Sequence, residues 1–350
     1  KQGANASLPT GAPSFQLRAK RNSEATPSAR LLAVIIKRKC KFRMSYYKYS
    51  TTSTTKLILQ NLSLRWSSPL QFNDIEECQF VPFTIEEHRF AHEKYIEILT
   101  EYAKCNQVEY DYNKFSHITK MLIAVIKLSI NQGTFNTENF VDVMLNITNN
   151  PDLDYRNYIN TALIRIFRIL CVANTYNNNL MWAHYGDQNY GCVIELDKVF
   201  IDKPWNLKEG KVTYHENLNP KSKPLDMLLY GETEEVRDLM IKDVIFSKRT
   251  NWSYENEYRF MFAESFGSIS FVTDMKTKET KISASNQTEK LYTDVKILAD
   301  NIKSITFGTR TSEKDISELI EMVKKLDYKC KLYQMQLENG IVSRVELKTL

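Results

Sequence analysis

The chain changes texture near residue 168, and that change constrains the fold more than any other feature. Upstream, "KMLIAVIKLSI" and "YINTALIRIFRIL" carry apolar residues at helical spacing. Downstream, "ILCVAN", "GCVIELD", "GKVTY", "EYRFMFA", "SISFV", "IKSITFG", "CKLYQMQ" and "IVSRVELK" are short and rich in β-formers. Two helices are expected to interrupt these runs, about 234–247 and 312–326, the second with Ile316, Leu319, Ile320 and Val323 on one face. This pattern predicts an α+β fold: a mostly antiparallel β-sheet core with a helical insertion at about 80–169. Thr84-Ile85-Glu86-Glu87 has the spacing of a capping box at the start of that insertion, and Asn150-Pro151 marks a break inside it. No internal repeat is visible.

The net charge of +5 does not describe the folded part. Residues 1–43 hold ten Lys or Arg against one acidic residue, which leaves the remainder acidic by four. A nucleic-acid role therefore cannot be argued from overall charge. Residues 1–43 lack periodicity and read as a disordered basic extension. Met44 opens the organised pattern and is the expected natural start, so the extension is read as non-native. The other reading is a basic arm that touches phosphate or membrane. A single domain is expected over 44–350. No run approaches the ~20 apolar residues that span a bilayer, so no membrane partner is expected. The six cysteines are scattered, with no C-x-x-C pair, which fits a reducing cytoplasm; Cys171 and Cys192 lie in apolar runs and read as small core residues.

Three stretches hold chemically useful residues. "NWSYENEYRFMF", 251–262, read as a strand, puts Tyr254, Tyr258, Phe260 and Phe262 on a core face. Glu255, Glu257 and Arg259 then share the other face, as a polar cleft floor or as a solvated face with weak ion pairs. Trp182-Ala183-His184-Tyr185 sets a histidine between aromatics, either at a cleft mouth or as a plug at a helix–sheet corner. Ser67-Ser68, Phe72-Asn73-Asp74 and Glu77 form a loop that can bond its own backbone or meet a ligand. His88 and His92 have i, i+4 spacing, but no Glu stands beside the first. They read as a solvated helix face, and no metal is predicted. Phosphate-loop, dinucleotide-fingerprint and nucleophile-elbow motifs are absent.

Taken in order, these stretches resemble the bacterial family called domain of unknown function 2971. The resemblance rests on Lys48-Tyr49, Ser67-Ser68-Pro69, Phe72-Asn73-Asp74, Leu180 to Tyr185, and Lys248 followed by Trp252, Tyr254, Glu255, Glu257 and Arg259. "ITFGTR", 305–310, resembles the family's closing Phe-Gly strand. The resemblance spans roughly 46–347. Ile75 and Glu76 stand where the family usually has Pro-Phe, and Asn189 where a second His is common.

At greater distance the layout is similar to the ADP-ribosyltransferase superfamily. That analogy implies an NAD-dependent transferase or glycohydrolase, with NAD as substrate and a macromolecular acceptor, in phage defence or a toxin system. Glu257 would be the catalytic carboxylate, Glu255 would orient the acceptor or act as base, and His184 and Trp182 would wall the cleft. Tyr49 would stack on nicotinamide, and Arg259 or Lys48 would pair with the pyrophosphate. Ser67, Ser68, Asn73, Asp74 and Tyr185 complete the expected binding set. The alternative reading is a non-catalytic binding or sensing protein. A third reading is a metal-dependent hydrolase or nuclease built on Asp74, Glu77, Glu255 and Glu257.

Overall fold

A computed structural model describes residues 44–78, 83–106, 108–146, 164–217, 220–231, 233–264, 269–273, 280–284 and 290–347. The basic extension 1–43 and the Asn150-Pro151 break lie outside the described residues. In chain order the elements are β1 (Tyr46–Ser50), α1 (Thr52–Asn61), β2 (Ser63–Ser67), α2 (Ile85–Ala103), α3 (His117–Asn131) and α4 (Thr137–Asn146). There follow β3 (Phe167–Ala173), α5 (Asn179–His184), β4 (Cys192–Leu196), β5 (Lys208–Lys211), β6 (Thr213–His215), α6 (Pro224–Tyr230) and α7 (Glu234–Ile245). The chain continues with β7 (Ser247–Arg249), β8 (Glu257–Ala263), β9 (Ile269–Thr273), β10 (Thr280–Ala284) and β11 (Tyr292–Lys296). Last come β12 (Ile302–Phe307), α8 (Glu313–Lys325), β13 (Lys331–Glu338) and β14 (Ile341–Glu346).

Among the described residues the main sheet has ten strands, and all its pairings are antiparallel except β12 with β13. Its centre is β3, and there the sheet forks. One edge of β3 carries β8 along its full length, with β5 beyond. The other edge is shared: β1 pairs at Ala173, whereas β2 pairs at Ile169. From β1 the sheet runs on through β4, β12, β13 and β14, and from β2 it runs to β11. The parting of β1 from β2 over β3 opens a gap in the sheet.

Both faces of this centre are covered. Ile58 and Leu59 of α1 and Leu319 and Val323 of α8 pack with Leu170, Val172 and Phe260 on one face. Val236, Met240 and Val244 of α7 pack with Phe167, Ile169 and Met261 on the other. A separate helical layer joins Tyr95 and Leu99 of α2, Ile123 and Ile126 of α3, and Leu229 of α6. The capping box at Thr84 forms: Glu87 N donates to Thr84 Oγ1 at 3.1 Å, and Thr84 N donates to Glu87 Oε2 at 2.7 Å.

The sequence reading is corrected in four places. The helical spacing read through Leu170 belongs from Phe167 onward to a strand; β3 is buried on both faces, so its apolar run does not alternate and mimics a buried helix. Residues 250–255 form a 3-10 turn rather than the start of a strand, and Asn256, with φ 42°, leads from it into β8. Tyr254 therefore packs near Trp182 instead of joining Tyr258, Phe260 and Phe262 on the sheet core. His88 is buried against Phe83 rather than solvated. No helix of the described residues is long and apolar enough to cross a membrane.

Candidate functional site

A cavity of about 410 Å³ fills the gap in the sheet, within the ~300–1,000 Å³ usual for small-molecule sites. Its walls come from β1 (Tyr47, Lys48, Tyr49), β2 (Arg65, Ser67), the loop after β2 (Phe72, Asn73) and the end of α5 (His184, Tyr185). Its floor holds Cys171 of β3, together with Glu77, Lys248, Glu255 and Glu257. Residues from distant stretches of the chain thus meet at the fork in the sheet.

Local geometry explains how they get there. Along β8, Glu257 and Arg259 alternate with Tyr258 and Phe260, so the charged pair turns away from the aromatic core. The 3-10 turn before β8 brings Glu255 to the same floor, and Asn174 Nδ2 holds the carbonyl of Asn256 at 2.9 Å. Asn178 caps α5 by accepting from the amides of Leu180 and Met181, and its Nδ2 donates to Tyr254 O at 2.5 Å. That bond ties α5 to the turn before β8. Gly186 ends α5 against the indole: a Cβ there would lie 2.7 Å from the Trp182 ring.

The floor is a buried ionic network. Lys248 Nζ sits 2.7 Å from Glu255 Oε2 and 3.1 Å from Glu77 Oε2. Arg259, fully buried, pairs with Glu77 and lies 2.7 Å from Glu257 Oε2. It also donates to Ile245 O at 2.6 Å. Tyr185 Oη donates to Glu255 Oε1 at 2.6 Å, with Asn73 Nδ2 at 3.5 Å from the same hydroxyl. Three carboxylates here face two paired cations. Lys48 is the nearby third, and its ammonium donates to Cys171 O at 3.1 Å.

The network of three carboxylates and two cations thus carries one net negative charge, and Glu257 is where the imbalance shows. Burial and the Glu255 carboxylate raise its pKa from 4.5 to about 7, against the opposing pull of Lys248, the Cys171 thiol and Lys48. Burial also lowers the Arg259 guanidinium, but only to about 9, so it stays cationic at neutral pH. Burial works to lower Lys248 too, and the Glu257 and Glu255 carboxylates override it and raise the ammonium above its ordinary value. The Cys171 thiol is pushed well up by burial and then by Glu257, so it stays protonated. Burial and the Glu255 contact likewise keep the Tyr185 phenol protonated.

The expected site residues divide into two groups. Lys48, Tyr49, Ser67, Asn73, His184, Tyr185, Glu255 and Glu257 meet in one cavity. Four others do not line it. Ser68 is fully buried and donates to Ile164 O at 3.0 Å, so it fixes the turn at Pro69–Gln71. Asp74 accepts from Glu76 N at 3.0 Å and shapes the loop. Trp182 is buried behind the wall, with its Nε1 on Tyr176 O at 2.7 Å and its ring edge-on to Tyr49 at 5.4 Å. Arg259 is sealed beneath the floor and does not line the cavity, whereas Lys48 does.

Lys248 had no role assigned from sequence, yet it bridges two of the three carboxylates. Its place seven residues before Glu255 was the available signal. Tyr214 was missed as well; its hydroxyl accepts from Glu257 N at 3.0 Å. Among the described residues no group of His, Cys, Asp or Glu is arranged to hold a metal ion. The convergence of carboxylates that a metal site would need is taken up by Lys248 and Arg259.

Residues 181–260 match a family model described as Protein of unknown function (DUF2971). The match contains Trp182, His184, Tyr185, Lys248, Glu255, Glu257 and Arg259, but neither Lys48 nor Glu77. No curated protein and no solved structure matches the chain.

Proposed function

We propose that the cavity in the forked sheet is an enzyme active site in which Glu257 is the working carboxylate. The observation that carries this reading is a buried carboxyl raised to about 7, lining a cavity beside Lys48, Tyr185 and His184. A carboxyl tuned to the working pH inside a cleft is what acid–base chemistry requires. A purely structural ion pair gains nothing from it.

The reaction proposed is cleavage of the nicotinamide–ribose bond of NAD. The C1′–N bond breaks and nicotinamide leaves neutral, taking the bonding pair. The ribosyl carbon becomes oxocarbenium-like, and ionised Glu257 stabilises it. An acceptor hydroxyl or water attacks that carbon, and its proton passes to Glu257. Glu255, held by Tyr185 and Lys248, orients the ribose hydroxyls. Lys48 meets the pyrophosphate as a point charge, and Tyr47 and Tyr49 offer ring surface.

A second reading, a non-catalytic binding or sensing protein, is favoured by the pairing of all three carboxylates with buried cations. Nicotinamide release from NAD by the wild type and by Glu257→Gln, with host lysate as acceptor source, separates the two. Turnover in the wild type that rises with pH through about 7, and is lost in Glu257→Gln, supports the enzyme. NAD binding without consumption supports the sensor. Neither binding nor consumption removes NAD from both readings.

A further inference from the structure

The ribbon that supports the catalytic floor has a second cavity on its back. β6 and β7 pair in parallel, with Tyr214 opposite Lys248. Tyr214 holds the Glu257 amide and Lys248 holds the carboxylates. Their strand neighbours Thr213, His215 and Ser247 point the other way. These three line a separate cavity of about 340 Å³, closed by β5 and α7.

The charge of this cavity is lopsided. Lys208 is answered by Asp238 at 2.9 Å. Asp243 Oδ2 accepts from Lys221 N at 2.9 Å, Ser222 N at 2.7 Å and Ser222 Oγ at 2.6 Å, neutral donors that hold the carboxylate in place and leave it its charge. That leaves Lys211, Lys221 and Lys242, three exposed ammonium groups with no ion pair among the described residues, against Glu209 and Asp243. His215 adds a donor. Between the cations lies apolar surface, from Phe246 and Ile241 of the α7 region. Phe246 is 8% exposed at the base of the cavity, and a Cβ at Gly210 would rest 3.6 Å from its ring.

Cations around an apolar patch suit an anion carrying a flat apolar body. Lysines contact phosphate as adaptable point charges, and an aromatic face beside them takes a ring. We propose that this second cavity binds a nucleoside phosphate, with Lys211, Lys221 and Lys242 around the phosphate and Phe246 and Ile241 under the base. The site is distinct from the first cavity, shares no lining residue with it, and does not depend on NAD being the substrate there.

The test is calorimetric titration of the full chain with AMP and, separately, with inorganic phosphate at low salt. AMP is expected to bind saturably, at least tenfold tighter than phosphate, because only AMP uses the apolar surface. Lys211→Gln with Lys242→Gln is expected to weaken AMP by about tenfold or more, since charge-assisted contacts are lost. Both positions are exposed, so an unchanged melting temperature will show that the variant folds. Lys48→Gln, in the first cavity, should leave unchanged the part of AMP binding that the Lys211 and Lys242 pair removes. Absence of AMP binding, or binding indifferent to the lysine pair, overturns the proposal. So does binding lost in Lys48→Gln instead, which would place AMP in the first cavity. Phosphate binding as tightly as AMP overturns the nucleoside part.

Discussion

Glu77→Gln is the substitution that most directly tests the buried network. The Glu77 side chain is 3% exposed and touches both Arg259 and Lys248. Removing its charge leaves a fully buried guanidinium with Glu257 alone and an ammonium with Glu255 alone. Glu77 makes two buried charge-assisted contacts, each worth ~1.5–3 kcal/mol, so weakening both should cost at least ~3 kcal/mol although each cation keeps one carboxylate. Against a typical total stability of ~5–15 kcal/mol, that is a large fraction. At ~2–4 °C per kcal/mol for domains of 150–250 residues, the melting temperature should fall by at least about 6 °C. Arg65→Gln is the control. Its pair with Asp294 is 56% and 44% exposed, and such surface pairs contribute ~0–1 kcal/mol. The assay is urea denaturation of both variants followed by tryptophan fluorescence. A second consequence has a definite sign. With two carboxylates left on two cations, the excess negative charge is gone, so the Glu257 pKa should move down. Any pH-dependent activity should then set in at lower pH. A Glu77→Gln variant as stable as Arg65→Gln would refute the account of the floor as an interdependent ionic network.

Two further outcomes follow from single residues. Glu257 holds its proton in the folded chain between 4.5 and about 7, where the unfolded chain has released it, so this group makes stability fall as pH rises through that window. Glu257→Gln should flatten that part of a stability–pH curve measured by denaturation; an unchanged slope would show that Glu257 titrates normally. Gly308 faces the carbonyl of Asn189, where a Cβ would sit 2.1 Å from the oxygen. Gly308→Ala should therefore lower the melting temperature clearly more than Gly210→Ala, where the nearest atom lies at an ordinary contact distance of 3.6 Å.

Much of the fold was legible because its signals are local. Helical spacing and caps marked α2, α7 and α8, and short β-rich runs marked the strands after residue 168. α6 was not legible: it is a single short segment, Pro224–Tyr230, and only its packing on α2 and α3 makes it a helix. β3 was misread at its start because a strand covered on both faces loses the alternation that identifies strands. At the site, residue types were informative but depth was not. Glu257 and Arg259 share a strand face, as read from sequence, yet one lines the cavity and the other is sealed beneath it. Likewise Ser67 meets the cavity while Ser68, its neighbour, turns into the interior. Alternation predicts sides, and only the packed structure predicts depth.

The floor also bears on how the sheet finds its register. Its partners are remote in sequence: Glu77 lies 182 residues from Arg259, and Lys48 lies 123 from Cys171. None of these contacts can form before β1, β3 and β8 are assembled. A slip of one residue in β8 would turn Glu257 and Arg259 into the aromatic core and bring Tyr258 and Phe260 onto the floor. Buried charge with no partner is costly, so the misregistered pairing is penalised from both faces at once. The same charges that make a stability argument weak make a specificity argument strong. A floor that holds the strands in register also holds Glu257 in one place, and the reaction proposed for it requires that rigidity.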